Sequence, residues 1–115
     1  MTTTVADIDS AIDAVQDYIN TLQTAQSAAA NAGQMPAVTT IGSYYKFAQF
    51  LENELVSLKI ISEADSLQAA VNAVKQTTQQ LAQQKQQIDN LVAAIGTAAT
   101  VAGVIDEVLT AVGKL

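Results

Sequence analysis

The longest regular pattern in the chain is a seven-residue spacing of apolar side chains across residues 67–112. The row reads Leu67, Val74, Leu81, Ile88, Ile95, Ala102 and Leu109. A second row, three residues later, is polar in its first half and apolar in its second half: Ala70, Thr77, Gln84, Leu91, Ala98, Ile105 and Val112. Both rows keep one helical phase, so we expect α-helix here, with a wider apolar stripe toward the C-terminus.

Two glycines, Gly96 and Gly103, lie in the second half of this region. The unbroken spacing favours one helix that runs through both of them. The low helix propensity of glycine, which costs about 1 kcal/mol per residue, favours a break instead. We therefore expect a break or kink near Gly96.

A first amphipathic helix is predicted from Val5, with apolar side chains at alternating intervals of three and four residues. Thr4 and Asp7 form the pattern of a capping box at its start. The helix should end near Gly33. About 28 residues would make it roughly 42 Å long.

A loop is predicted over residues 32–40, where Gly33 and Pro36 favour a helix end and a turn. The second helix should then begin near Thr40 or Ser43. A further turn follows residue 61, where Ser62 is the expected cap of a third helix. The sequence thus predicts an all-α fold, an antiparallel bundle of three to four long amphipathic helices, in one domain over residues 1–115.

Composition limits the classes of function. The chain has 115 residues, 50% of them hydrophobic and 14% charged, which is too apolar and too sparsely charged for a disordered chain, so we expect it to fold. The net charge is −6 with five Lys and no Arg, so we expect no nucleic-acid binding. Residues 1–20 contain four Asp and no Lys, unlike a secretory signal. The chain is therefore either intracellular or given in its mature form, and its localisation stays open.

The chain has no His and no Cys, which removes the common general base, the zinc ligands and the thiolate nucleophile. We expect no enzymatic activity and no cofactor. Asp9, Asp13 and Asp17 lie four residues apart on the polar face of the first helix. One stripe of carboxylates cannot surround a cation, so we interpret it as a solvated face and expect no metal site.

Four aromatic residues, Tyr44, Tyr45, Phe47 and Phe50, cluster in the second helix. They predict that this helix is the most completely buried element, and packing of a bundle core explains them better than a pocket for an apolar ligand. Tyr45 points away from the expected apolar stripe. It is therefore the first candidate for a contact with a ligand.

Residues 91–105 contain no charge, but as a helix they would span only about 22 Å, less than the roughly 30 Å of a membrane core. We expect them to be buried in protein. Their two apolar rows need a surface on both sides, from the first helix or from a second chain. The predicted interaction residues are Leu91, Ile95, Ala98, Ala102, Ile105, Leu109 and Val112.

Residues 61–65 (Ile-Ser-Glu-Ala-Asp), Lys85 and residues 96–109 are similar to the helical domains of secreted fungal hydrophobic-surface-binding proteins, although this chain is shorter. That resemblance implies a helical fold that holds fatty ligands. It rests on cap residues and Ala-rich helix, which many families share, and no family is assigned from it.

The sequence leads to one functional hypothesis and one alternative. The hypothesis is a non-enzymatic interaction or assembly protein whose apolar C-terminal helix packs against another copy or a helical partner. The alternative is a protein that binds an apolar, fatty-acid-like ligand or a membrane surface, including a membrane-active component.

Overall fold

The computed structural model describes residues 4–96 and 101–115, which form four α-helices. The helices are α1 (Val5–Asn31), α2 (Met35–Leu58), α3 (Ala64–Ile95) and α4 (Val101–Gly113). The predicted all-α bundle of three to four helices is confirmed. Its longest dimension is 49 Å, close to the roughly 48 Å expected for the 32 residues of α3.

Side-chain contacts show that α1 and α2, and likewise α3 and α4, run antiparallel. Lys59 Nζ lies 2.8 Å from Asp9 Oδ1, which places the end of α2 beside the start of α1. Lys85 Nζ lies 2.6 Å from Asp106 Oδ1, so α4 folds back along α3. Each helix contacts the next, and α4 also contacts α1, while contact across the diagonal between α1 and α3 is small.

The predicted capping box at the start of α1 is confirmed. The Asp7 backbone N–H donates to Thr4 Oγ1 at 3.1 Å, and the Thr4 backbone N–H donates to Asp7 Oδ2 at 3.4 Å. At an uncapped helix end these two backbone N–H groups would lack hydrogen-bond partners, and the capping box satisfies both of them.

The predicted start of the second helix is wrong, because α2 begins at Met35 and not near Thr40 or Ser43. Pro36 lies in the first turn of α2, where a backbone N–H has no helical partner and its loss therefore costs nothing. The turn before α2 contains Gly33 at φ +72°, a conformation that glycine adopts without strain.

The predicted role of Ser62 as a helix cap is also wrong. The backbone is still extended at Glu63, which is the N-cap of α3, so Ser62 lies outside the helix. The Glu63 side chain makes no capping hydrogen bond to the backbone. It accepts instead from Ser66 Oγ at 3.4 Å.

The predicted break near Gly96 is confirmed. Gly96 has φ +83°, a left-handed conformation that ends α3, whereas Gly103 lies within α4. The seven-residue rows therefore continue in phase along the sequence but belong to two helices. The seven-residue spacing does not require one continuous helix, because each of two successive helices needs only its own apolar face.

Buried apolar side chains form one core to which all four helices contribute. The prediction that the second helix is the most buried is wrong: α1 buries more residues than α2, and Phe50 and Val56 of α2 are 55% and 48% exposed. The reason is that α1 packs extensively against both α2 and α4, whereas contact between α2 and α3 is thinner.

Candidate functional site

Two of the predicted interaction residues are buried inside the chain itself. Ile105 has no exposed surface and Val112 is 2% exposed. Both face the core from α4, which lies between α1 and α3. Helix α1 thus covers part of the surface formed by the predicted interaction residues, which we call the C-terminal seam. These two side chains are not accessible to a second chain in this fold.

The other predicted interaction residues keep part of their surface. Leu91, Ile95, Ala102 and Leu109 are half-buried, and Leu91, Ile95 and Leu109 pack at the margin of the core. Ala98 lies outside the described residues. The accessible part of the predicted seam is therefore narrower than the sequence suggested.

A shallow groove of about 260 Å³ lies between α3 and α4 and includes Leu109. Its lining residues are Lys75, Thr78, Gln79, Ala82, Leu109, Val112 and Gly113. The Thr78 hydroxyl donates to the Val74 carbonyl oxygen at 2.6 Å, so it is already satisfied and does not need a ligand. The groove thus offers a largely apolar floor and, at Lys75, a single positive charge.

A second groove, of about 520 Å³, lies between α1 and α4. Asp13 and Asp17 line it from α1, and Asp106 and Glu107 line it from α4. The sequence analysis identified only the row of acidic residues on α1. The spacing of residues along the chain does not show that α4 packs against that side of α1.

This acidic groove does not have the geometry of a metal site. Across residues 4–96 and 101–115, no group of three or more acidic side chains is arranged to hold a metal ion. Asp106 is also paired with Lys85, and Lys114 lies in the same groove. We interpret the groove as a solvated, negatively charged surface that disfavours approach of another acidic protein.

The aromatic residues of α2 do not converge on one pocket. Tyr45 lies in a polar groove of about 310 Å³ between α1 and α2, where its hydroxyl accepts from Gln23 Nε2 at 3.1 Å. Tyr44 and Phe47 are half-buried against the core, and Phe50 is exposed. Neither of the other two grooves is lined by an aromatic residue. Tyr45 is accessible, but its surroundings are polar rather than suited to a fatty ligand.

The one fully buried aromatic residue is Tyr18 of α1. Its hydroxyl has no hydrogen-bond partner within the described residues. Burial, and secondly the nearby Tyr44, raise the pKa of Tyr18 well above its ordinary value. The hydroxyl therefore stays protonated at neutral pH, and it is not a candidate for acid–base chemistry.

Sequence reasoning missed three exposed apolar side chains, Val5, Val56 and Ile60, which we call the apolar end. These side chains are 60%, 48% and 85% exposed. The ion pair between Lys59 and Asp9 brings the start of α1 to the end of α2, so all three lie at one end of the bundle. The signal in the sequence was Ile60, which lies in a turn two residues after the end of α2.

None of the helices in the described part of the chain is both long enough and apolar enough to cross a membrane.

Comparison with protein-family models finds no match, and comparisons with curated proteins and with solved structures find none either.

Proposed function

We propose that this protein is a non-enzymatic helical interaction protein that binds another copy of itself, or a helical partner chain, beside α4. The observation that carries the proposal is the open groove between α3 and α4, which is lined by the half-buried Leu109 and the buried Val112. Fully burying an exposed leucine contributes on the order of 1.5–3 kcal/mol, and a partner side chain that completes the burial of the half-buried Leu109 would contribute part of this.

The distribution of charge supports a second copy as the partner. Residues 66–88 contain no acidic residue and two lysines, Lys75 and Lys85, although the whole chain carries −6. The groove between α1 and α4, which four carboxylates line, would repel a second copy. Residues 18–51 also lack acidic residues, so charge alone does not single out the face of α3 beside α4; the apolar groove at Leu109 is what favours it.

Leu109→Gln tests this proposal. It removes an apolar contact from the groove while its position at the margin of the core leaves the fold intact. We expect at least tenfold weaker self-association, equivalent to about 1.4 kcal/mol, with unchanged far-ultraviolet circular dichroism. Light scattering coupled to size exclusion over a concentration series measures the association.

Phe50→Gln is the matched control, because Phe50 is 55% exposed on α2 and does not line this groove. It should associate as the wild type does. The proposal fails if the wild-type chain stays monomeric at the highest concentration and also binds no helical partner, or if both variants behave alike.

A second candidate function, binding to a membrane surface, is favoured by the apolar end. Ile60 is 85% exposed in the turn after α2, and Val5 and Val56 lie at the same end. Apolar side chains of this kind insert into the boundary between head groups and acyl chains. Because the chain carries −6, a neutral lipid surface suits it better than an anionic one.

Flotation with neutral phosphatidylcholine vesicles tests this candidate. We expect Ile60→Ser to lower the bound fraction about fivefold, since roughly 1 kcal/mol of insertion is lost. Met35→Ser, at a side chain 59% exposed at the start of α2, should leave binding unchanged. Equal flotation of both variants, or none by the wild type, would exclude the apolar end as a membrane contact.

A further inference from the structure

Lys75 is a half-buried cation without a counter-charge in the described part of the chain. It lines the groove between α3 and α4 together with Leu109. Lys59 and Lys85 are each paired with a carboxylate, whereas no carboxylate of the described residues lies within ion-pair distance of Lys75. A charge that is partly withdrawn from water is stabilised by an opposite charge. An occupant that carries a carboxylate beside an apolar side chain would therefore match this groove.

The exposed apolar side chains of a second copy include one that has this property. Within the described residues the large ones are Val5, Met35, Phe50, Val56 and Ile60. On a helix, a carboxylate shares a face with an apolar side chain when the two are three or four residues apart. Glu52 lies four residues before Val56 on α2. It is half-buried and has no hydrogen-bond or ion-pair partner within the described residues.

Val5 and Met35 do not present a free carboxylate in this way. Asp9 lies four residues after Val5, but it is already paired with Lys59 at 2.8 Å. Met35 has no acidic residue within four positions on either side. Neither side chain therefore offers a counter-charge to the groove.

Phe50 and Ile60 are also less suitable. Glu54 lies four residues after Phe50, but its Oε1 atom is buried, and Lys46 lies four residues before Phe50, where it would repel the lysine of the groove. Ile60 lies in a turn after the end of α2, and the Glu63 side chain three residues later already accepts a hydrogen bond. Of the five exposed side chains, Val56 is thus the one with an unpaired carboxylate one helical turn away.

We propose that α2 of one copy docks into the groove between α3 and α4 of a second copy, with Val56 against Leu109 and the Glu52 carboxylate beside Lys75. The inference rests on the proposed function and names the surface that the second copy contributes. Four residues along α2 rise about 6 Å. Leu109 and Lys75 line one groove of about 260 Å³, so a single helical turn can contact both of them.

Charge reversal at the two positions tests this contact. Lys75→Glu brings two carboxylates together and Glu52→Lys brings two ammonium groups together, so we expect each variant to self-associate at least tenfold more weakly. Both changes in one chain restore the opposite charges, and association should return to within about threefold of the wild type. Light scattering coupled to size exclusion measures association, and far-ultraviolet circular dichroism checks that each variant is folded.

A general effect of net charge would give a different pattern. Lys75→Glu makes the acidic chain more negative and Glu52→Lys makes it less negative, so repulsion alone would weaken association in the first variant and strengthen it in the second. Lys46→Glu is the matched control, because it makes the same change of charge at an exposed side chain of α2 that does not line the groove. It should associate as the wild type does.

Val56→Gln tests the apolar half of the contact at a side chain that is 48% exposed, where the change leaves the fold intact. We expect it to weaken self-association about as much as Leu109→Gln does. An equimolar mixture of the two variants should associate more tightly than either variant alone. The reason is that the intact α2 of one chain meets the intact groove of the other.

Two results would overturn docking of α2: unchanged association of both Glu52→Lys and Val56→Gln, or a double charge variant that associates no better than its single variants. If Leu109→Gln still weakens association in either case, another surface occupies the groove and the proposed function stands. A wild-type chain that stays monomeric at the highest concentration would also reject this inference, and the proposed function would then depend on a partner chain alone.

Discussion

Ile105→Asp is expected to unfold the protein. Ile105 has no exposed surface, and the described residues place it in the core formed by α4 with α1 and α3. The substitution removes an apolar contribution of about 1.5–3 kcal/mol and adds the cost of burying an unpaired carboxylate, which is several kcal/mol more. Together these approach the 5–15 kcal/mol that stabilises an ordinary domain. Loss of the helical circular dichroism signal at 25 °C is the expected measurement.

Ile60→Asp is the control, because it makes the same chemical change at a side chain that is 85% exposed. We expect its free energy of unfolding to stay within about 0.5 kcal/mol of the wild type. The pair also separates two interpretations of the C-terminal seam. If Ile105 lay at an interface between chains, Ile105→Asp would give a folded monomer, and that outcome would contradict the burial described here.

Tyr18→Phe is expected to stabilise the protein. The Tyr18 hydroxyl is buried without a partner among the described residues, and an unsatisfied buried group of this kind costs about 1–3 kcal/mol. Its removal should raise the free energy of unfolding by about 1 kcal/mol and the melting temperature by about 4 °C. Tyr45→Phe is the control: it removes the hydrogen bond that Gln23 Nε2 donates at 3.1 Å, so it should give no gain.

The same variant should change the dependence of stability on alkaline pH. Burial raises the pKa of Tyr18 above its unfolded value of about 10, so the native state holds its proton more tightly than the unfolded state. The stability linked to this proton is complete below about pH 10 and is lost as pH rises toward the folded pKa. Urea unfolding from pH 9 to 11 should show a steeper loss for the wild type than for Tyr18→Phe. Parallel curves would mean that Tyr18 ionises as readily in the folded protein as in the unfolded chain.

Local signals in the sequence determined the helical nature of the chain and several helix ends. The spacing of Ile8, Ile12, Val15 and Ile19 predicted the buried face of α1, because a helix presents residues three and four apart on one side. Thr4 with Asp7 marked the start of α1, since a capping box satisfies backbone groups within one turn. Gly96 marked the end of α3, because glycine both disfavours helix and adopts the left-handed turn.

Local rules failed where two of them competed. Pro36 was read as part of a loop, although proline is equally suited to a first helical turn, and α2 in fact begins at Met35. Ser62 resembled a cap, but the cap position is fixed by where the backbone changes from extended to helical. Tertiary packing determines which of two such alternatives forms, and the local amino-acid sequence alone does not.

Only the tertiary structure decided which helix faces which, and that decided the candidate site. The sequence placed Ile105 and Leu109 on one apolar stretch, but packing of α4 between α1 and α3 buries the first and leaves the second at an open groove. The acids of α4 likewise face Asp13 and Asp17 only because α4 folds back at Gly96. Periodicity defines the apolar face of each helix by itself, whereas covering that face depends on helices distant in the chain, and no local pattern records their arrangement.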